Sequence, residues 1–134
     1  MVGKNNPFNI RYNPRNMWLG LDQNQVYRGF CNFVDVKYGI RAACYLLMVS
    51  YRKKNIVTIS EIISRFAPFS ENDTERYIQF VCNCFDCFPF DCPLTKSDYA
   101  MLLHYMSKYE GNPVSYEDIL KVINLFNLKI KCYD

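Results

Sequence analysis

Four short polar motifs of one type constrain the fold of this chain more than any other feature of its sequence. Each motif places Ser, Thr or Asn three residues before Glu or Asp, which is the pattern that caps the first turn of a helix. A proline lies in each gap between successive motifs, where a helix is expected to have ended. The motifs predict four helices, which run from Thr58 to about Phe66, Asn72 to about Phe85, Thr95 to about Lys108 and Ser115 to about Phe126.

A fifth helix is predicted from Asp35 to about Lys54. Asp35 can cap this helix, and its basic end suits the helix dipole. Apolar side chains recur along one stripe at helical spacing, and these are Ile40, Ala43, Cys44, Leu47 and Tyr51.

In the first 34 residues, apolar and polar side chains instead alternate over short stretches, which is typical of short strands. Phe8 to Tyr12 alternates apolar and polar side chains, and Val26 to Phe33 does so less regularly, with Gly29 as a bend. The sequence thus predicts a mainly α (α+β) protein with about five helices and a small N-terminal β element. Its 134 residues are expected to form a single domain, residues 1–134, with a β-rich segment (1–34), a helical body (35–126) and a tail or short strand (127–134).

Composition argues against several classes of partner. The longest apolar run, Ala42 to Val49, is far shorter than the roughly 18 residues that cross a bilayer, so no membrane partner is predicted. Met1 to Asn9 is polar and predicts no export signal. The formal net charge of +3 is scattered along the chain, which argues against nucleic acid as a partner.

Four of the seven cysteines lie within eleven residues, from Cys82 to Cys92. Only Cys84-x-x-Cys87 has the spacing of a zinc knuckle, and the single histidine, His104, is distant. Ordinary buried thiols are therefore favoured over a metal site or a redox pair. No metal and no cofactor is predicted.

Three carboxylates are the candidate catalytic residues. A glycoside-cleaving site needs one protonated carboxylic acid and often a second carboxylate that stays ionised. Glu71 is the candidate general acid, and Asp73 or Glu110 is the candidate for its partner. The alternative for Glu71 and Asp73 is structural, because acidic side chains just before a helix cap its first turn.

Amides, a cation and aromatic rings are concentrated near the start of the chain. Sugar-binding clefts place aromatic faces against sugar rings and use amides to bond hydroxyl groups. The candidate substrate contacts are Asn6, Asn9, Arg11, Tyr12 and Trp18. In the alternative interpretation, the rings belong to the core and the Asn side chains satisfy loop backbone.

Several motifs together resemble a family of small bacteriophage and prophage proteins that are often labelled virion structural proteins. The resemblance covers roughly residues 5–112. It implies synthesis in the bacterial host cytoplasm, a place in the virion, and other virion proteins as partners. The motifs are Asn6-Pro7-x-Asn9-Ile10-Arg11-Tyr12, Trp18-x-Gly20, Gly29-Phe30-x-x-Phe33, Tyr38-Gly39-Ile40-Arg41-Ala42 and Arg65-Phe66-Ala67-Pro68-x-x-Glu71-Asn72-Asp73-Thr74-x-x-Tyr77-Ile78.

A weaker resemblance concerns the mechanism. The order Asn-Pro-x-Asn-Ile, Trp-x-Gly, Phe-x-x-Phe is similar to the substrate-cleft half of lysozyme-superfamily glucosaminidases and lytic transglycosylases. It implies a lysozyme-like architecture and glycan contacts at the five N-terminal candidates. In those enzymes the catalytic Glu ends a helix that precedes this half, whereas only Met1 to Lys4 precede it here. Cleavage would therefore have to use Glu71.

These observations predict a phage virion-associated protein that engages bacterial peptidoglycan. Cleavage, as a murein hydrolase or lytic transglycosylase, is the less favoured mode of engagement. The alternative is a non-enzymatic structural or interaction protein of the phage particle.

Overall fold

The structure is a computed structural model that describes residues 1–132. Two antiparallel strands come first, and helices make up most of the chain after them, so the predicted mainly α class with a small β element is confirmed. The elements are β1 (Leu21–Tyr27), β2 (Phe30–Phe33), α1 (Val36–Tyr45), a π-helical turn (Leu46–Ser50), α2 (Tyr51–Lys53), α3 (Ile59–Phe66), α4 (Thr74–Phe85), α5 (Lys96–Tyr109) and α6 (Tyr116–Leu125). The lysozyme-like arrangement stays a prediction.

The cap motifs predict the starts of the helices closely. Thr58 and Thr95 form complete capping boxes. In each box the Thr side chain accepts from the backbone N–H of the residue three positions later, and the carboxylate of that residue accepts from the backbone N–H of the Thr. Ser115 and Asp35 also accept from the first turn of their helices. Each cap satisfies backbone N–H groups that have no partner within the helix.

The start of α4 differs from the prediction by one residue. The prediction that Asn72 caps this helix is wrong, because the Asp73 carboxylate accepts from the N–H of Arg76. The Asn72 amide instead donates to the carbonyl of Pro68 at 3.5 Å. A carboxylate is the better acceptor at the positive end of a helix.

The helices enclose an apolar core. α5 lies between α4 and α6, and α1 packs against both α5 and α6. The largest fully buried side chains of the helical body are Leu47, Met48, Ile62, Ile63, Tyr77, Tyr99, Leu102, Leu103, Met106 and Ile119. No helix within residues 1–132 is long and apolar enough to cross a membrane.

The end of the chain forms a tail over the residues described. Residues 127–132 contain no strand, although the N–H of Lys131 donates to the carbonyl of Met48 at 2.9 Å. That bond attaches the tail to the π-helical turn. The last two residues of the predicted tail or strand, 133–134, lie outside the described residues.

The N-terminal segment contains a hairpin, but at a different place from the predicted strands. Phe8 to Tyr12 is not a strand, and Arg11 makes only an isolated bridge to Phe30. The run predicted as one strand holds the hairpin turn instead, since Arg28 and Gly29 have φ angles of 51° and 85°. Two successive positive φ angles are typical of the tight turns that join antiparallel strands.

The N-terminal segment lies directly against α1. A Cβ atom on Gly39 would lie 2.1 Å from the carbonyl oxygen of Asn5. Glycine is therefore required at this position of the helix, because it lets the backbone of the segment approach closely.

Candidate functional site

Two adjoining cavities form one groove between the N-terminal segment and the ends of the helices. The larger cavity has a volume of about 500 Å³ and the smaller about 240 Å³. They share Asn9, Arg11 and Phe66. We call the two cavities together the groove.

The groove brings together six of the eight residues predicted from the sequence. Asn9, Arg11, Tyr12 and Trp18 line the larger cavity. Glu71 and Glu110 line the smaller one, again with Asn9 and Arg11. Asn6 and Asp73 lie outside the lining of both cavities.

Asn6 does not line the groove but bonds to the backbone next to it. Its side chain is fully buried. The amide nitrogen donates to the carbonyls of Ile10 and Cys31, both at 3.0 Å, and the amide oxygen accepts from the N–H of Ile10 at 2.9 Å. With these three bonds Asn6 fixes the backbone that carries Asn9 and Arg11.

Asp73 is exposed and caps α4. Its carboxylate accepts from the N–H of Arg76 at 3.2 Å. Asp73 therefore acts as a helix cap, which is the structural role that the sequence offered as the alternative to catalysis.

Arg11 and Glu71 form an ion pair where the two cavities meet. Nη2 of Arg11 lies 3.3 Å from Oε1 of Glu71, and the Glu71 side chain is 42% exposed. The Arg11 guanidinium carbon also lies 4.6 Å from the centre of the Phe30 ring. The ring contact and the ion pair together orient the guanidinium, whose side chain is 56% exposed, toward the junction of the two cavities.

Asn9 connects the N-terminal segment to the end of α5. It adopts a left-handed conformation, with φ of 52°, which Asn tolerates better than most residues. Its Nδ2 donates to Oε1 of Glu110 at 2.9 Å, and its Oδ1 accepts from the N–H of Val2 at 3.3 Å. Asn112 adds a second connection by donating to the carbonyl of Pro7 at 3.1 Å.

Glu110 lies beside a buried phenol. The Tyr77 ring is fully buried and stacks on Tyr109 with a centroid distance of 4.0 Å. Burial, and then the neighbouring Glu110 carboxylate, raise the pKa of Tyr77 well above its usual range. The phenol therefore stays protonated, and it donates to the carbonyl of Met106 at 3.4 Å inside the core.

Aromatic side chains form the far end of the groove. Trp18 is half-buried, and its ring meets Tyr45 edge to face with a centroid distance of 6.2 Å. The hydroxyl of Tyr12 donates to Oε1 of Gln25 at 2.9 Å. These contacts hold two aromatic side chains in the lining of the larger cavity, where rings suit flat, partly apolar ligands.

Sequence reasoning missed the apolar and aromatic side chains that the helical body adds to the groove. Phe66, the last residue of α3, lines both cavities, and Leu46 and Tyr51 line the larger one. Phe66 belongs to the Arg65-Phe66-Ala67-Pro68 motif. That motif indicates the end of a helix, but nothing in it indicates which N-terminal residues the ring faces.

The cysteine cluster lies outside the groove. Cys82 is buried, while Cys84 and Cys92 are exposed. No group of three or more His, Cys, Asp or Glu side chains within residues 1–132 is arranged to hold a metal ion. Nδ1 of His104 lies 2.6 Å from the carbonyl of Val114, a contact that joins α5 to the loop before α6.

Comparison with known proteins gives one informative relative. No protein-family model matches the chain. Over 121 residues the chain is 34% identical to "Protein P5" of Pseudoalteromonas phage PM2. The alignment covers 87% of this chain and 75% of the relative.

Proposed function

Since the chain belongs to the family of Protein P5 of Pseudoalteromonas phage PM2, we propose that it is a virion-associated phage protein that binds the glycan strands of bacterial peptidoglycan. It is made in the host cytoplasm and carried in the particle, where it meets the cell wall and other virion proteins. The observation that carries this proposal is the groove, which combines aromatic rings, amides and an arginine that is ion-paired and stacked on a ring.

The chemistry of the groove suits an amino-sugar polymer. Sugar rings have apolar faces that pack on aromatic side chains, and their hydroxyl and N-acetyl groups need hydrogen-bond partners. Trp18 and Tyr12 supply the rings, and Asn9 and Arg11 supply polar groups in the same cavity. A volume of about 500 Å³ lies within the range of roughly 300–1,000 Å³ that small-molecule sites occupy.

Binding is favoured over cleavage by the surroundings of Glu71. A carboxyl that works as a general acid is usually kept protonated by an apolar pocket. Glu71 is instead 42% exposed and paired with Arg11. If the protein cleaves glycan, Glu71 is the general acid and Glu110, in the same cavity, is its partner.

Binding is tested by titration with chitooligosaccharides, followed by the fluorescence of Trp18, the only tryptophan. We expect a saturable change in emission and about tenfold weaker binding for Tyr12→Ala, because one stacking ring is removed. Tyr27→Ala is the matched control, since Tyr27 is 46% exposed on β1 and lies outside the groove. A wild-type protein that neither changes emission nor sediments with purified sacculi contradicts the proposal.

Cleavage is tested separately by incubating the protein with sacculi and identifying released muropeptides by mass spectrometry. Any release is expected to be abolished by Glu71→Gln while binding to sacculi remains. Release that survives this substitution would exclude Glu71 as the general acid.

A second candidate function is a purely structural role in the phage particle. The observation that favours it is an exposed pair of rings after α4, Phe88 and Phe90, which are 62% and 71% exposed and stack at 5.3 Å. Exposed apolar clusters of this kind mark protein contacts. In phage carrying Phe88→Ser and Phe90→Ser, loss of the protein from the particle with sacculus binding intact would assign the particle contact to this loop.

A further inference from the structure

A third cavity adjoins the groove and differs from it in charge. Its volume is about 280 Å³, and it shares Trp18 and Asn16 with the larger cavity. Two arginines line it, and no Asp or Glu does. We call it the arginine pocket; its polar and aromatic lining residues are Arg15, Asn16, Trp18, Arg41, Tyr45 and Ser50.

Two buried hydrogen-bond donors of this pocket lack acceptors. Nε1 of Trp18 and Nε of Arg41 are both buried, and neither has a hydrogen-bond partner within residues 1–132. Buried donors without partners are rare, because each one has lost its hydrogen bonds to water without replacement. Both donors belong to side chains that line this one cavity.

Arg41 is held by ring faces instead of by a carboxylate. Its guanidinium carbon lies 5.4 Å from the centre of the Tyr45 ring and 5.6 Å from that of Phe126. Such contacts use the face of a guanidinium, whereas its N–H donors point outward in its plane.

The charge of the arginine pocket is uncompensated. Within residues 1–132, neither Arg15 nor Arg41 forms an ion pair, in contrast to Arg11, which pairs with Glu71. Arginine recognises planar oxyanions through paired N–H donors. The pocket therefore suits an oxyanion, and a carboxylate in particular, whose planar form matches the guanidinium fork.

We propose that the arginine pocket binds a carboxylate of the peptide stem of peptidoglycan while the neighbouring groove holds the glycan. This assignment rests on the proposed function, because the stem is attached to the sugar strand and the pocket shares Trp18 and Asn16 with the groove. The protein would thus recognise stem-bearing glycan in preference to bare glycan.

The experiment compares three ligands by Trp18 fluorescence: a disaccharide tripeptide with free carboxylates, the same muropeptide with its carboxylates amidated, and a chitooligosaccharide. The free stem peptide, inorganic phosphate and a short DNA duplex are titrated in the same way as further probes. We expect amidation to weaken binding about tenfold, because charge-assisted hydrogen bonds are lost. Arg41→Gln should remove this preference and leave the chitooligosaccharide affinity unchanged. Arg15→Gln is the second variant, since Arg15 is exposed and its substitution leaves the fold intact. Arg76→Gln, on the exposed surface of α4, is the control that removes the same charge elsewhere.

Each outcome separates the pocket from the groove. Equal binding of the free and amidated muropeptides, with chitooligosaccharide binding intact, overturns the carboxylate pocket and leaves the proposed function standing. Binding of the free stem peptide without chitooligosaccharide binding supports the pocket and overturns the glycan groove. Arg41-dependent binding of inorganic phosphate or of a short DNA duplex, stronger than that of the stem peptide, overturns the assignment to a carboxylate. No response to any ligand overturns both.

Discussion

The N-terminal segment and the helical body are held together by different kinds of contact. In the helical body, caps such as Thr58 and Thr95 bond to backbone three residues away. In the N-terminal segment, Asn side chains bond to backbone up to 28 residues away. These bonds run from Asn5 to Phe33, from Asn6 to Cys31, and from the N–H of Lys4 to Asn32.

The comparison shows where binding chemistry can be built in a small protein. Local caps produce regular helices, whose backbone groups are already paired and unavailable to a ligand. Long-range bonds allow an irregular backbone, which presents Asn9 in a left-handed conformation beside Glu110. The groove lies along the junction of the two regions, so its shape depends on both.

The largest expected effect comes from removing the most buried of the long-range contacts. Asn6→Ala leaves the N–H and carbonyl of Ile10 and the carbonyl of Cys31 without the bonds that Asn6 makes to them. Each lost bond at a buried site costs about 1–3 kcal/mol, so we expect the free energy of unfolding to fall by about 3 kcal/mol or more. Chemical denaturation measures the loss.

Asn13→Ala is the matched control for this substitution. Asn13 is exposed, and its Oδ1 accepts from the N–H of Arg15 only two residues away. We expect a loss below about 1 kcal/mol, because water replaces this bond. Equal losses for the two variants would mean that long-range Asn contacts do not define the N-terminal segment.

The same contrast explains how far the sequence predicts the structure. The helix starts at Thr58, Thr95 and Ser115 agree with their motifs because a cap acts on its own first turn. The predicted start of α4 differs from the observed start by one residue. Asn72 and Asp73 can both cap a helix, and only the negative charge of Asp73 favours it at the positive helix end.

The candidate site was predictable in its residue types but not in its geometry. The concentration of amides, Arg and aromatic rings near the start of the chain indicates a polar cleft, and Asn9, Arg11, Tyr12 and Trp18 do line the groove. The burial of Asn6 could not be read from its neighbours, since its partner Cys31 is 25 residues away. Loop contacts of this length depend on the whole fold.

A smaller effect is expected on the rates at which buried thiols of the two regions react with a labelling reagent. Cys31 in β2 and Cys44 in α1 are both fully buried, and burial raises the pKa of Cys31 to about 11 and that of Cys44 to about 12. Both thiols must therefore be exposed by opening before they react. In variants in which the other six cysteines are replaced, so that only Cys31 or only Cys44 remains, we expect Cys31 to react about tenfold faster, because the N-terminal segment can detach while the helices stay folded.

Denaturant dependence is the control for the labelling experiment. Local detachment exposes little surface, so labelling of Cys31 should respond weakly to low denaturant concentrations, whereas labelling of Cys44 should follow global unfolding. Equal rates with equal denaturant dependence would mean that the two regions unfold as one unit, despite their different contacts.

The smallest expected effect concerns the charge of a single capping box in the helical body. Oε1 of Glu61 accepts from the N–H of Thr58 at 3.1 Å, from its hydroxyl at 3.0 Å and from the N–H of Val57 at 3.3 Å. These bonds, with that of the Thr58 backbone the largest, lower the pKa of Glu61 below its ordinary value of 4.5. A carboxyl whose pKa is lower in the folded protein stabilises the fold above its unfolded pKa, and this stabilisation is lost as the pH falls through the folded pKa.

Glu61→Gln should therefore lower the midpoint of denaturation at pH 7 and have a decreasing effect as the pH falls below 4.5. The exposed position of the box keeps the difference well below that of Asn6→Ala. Glu75→Gln, in the first turn of α4, is the control, because within residues 1–132 the Glu75 side chain accepts no backbone N–H. A difference that stays constant across this pH range would mean that the box acts through neutral hydrogen bonds alone. The two regions would then differ in the sequence separation of their hydrogen-bonded residues and not in charge.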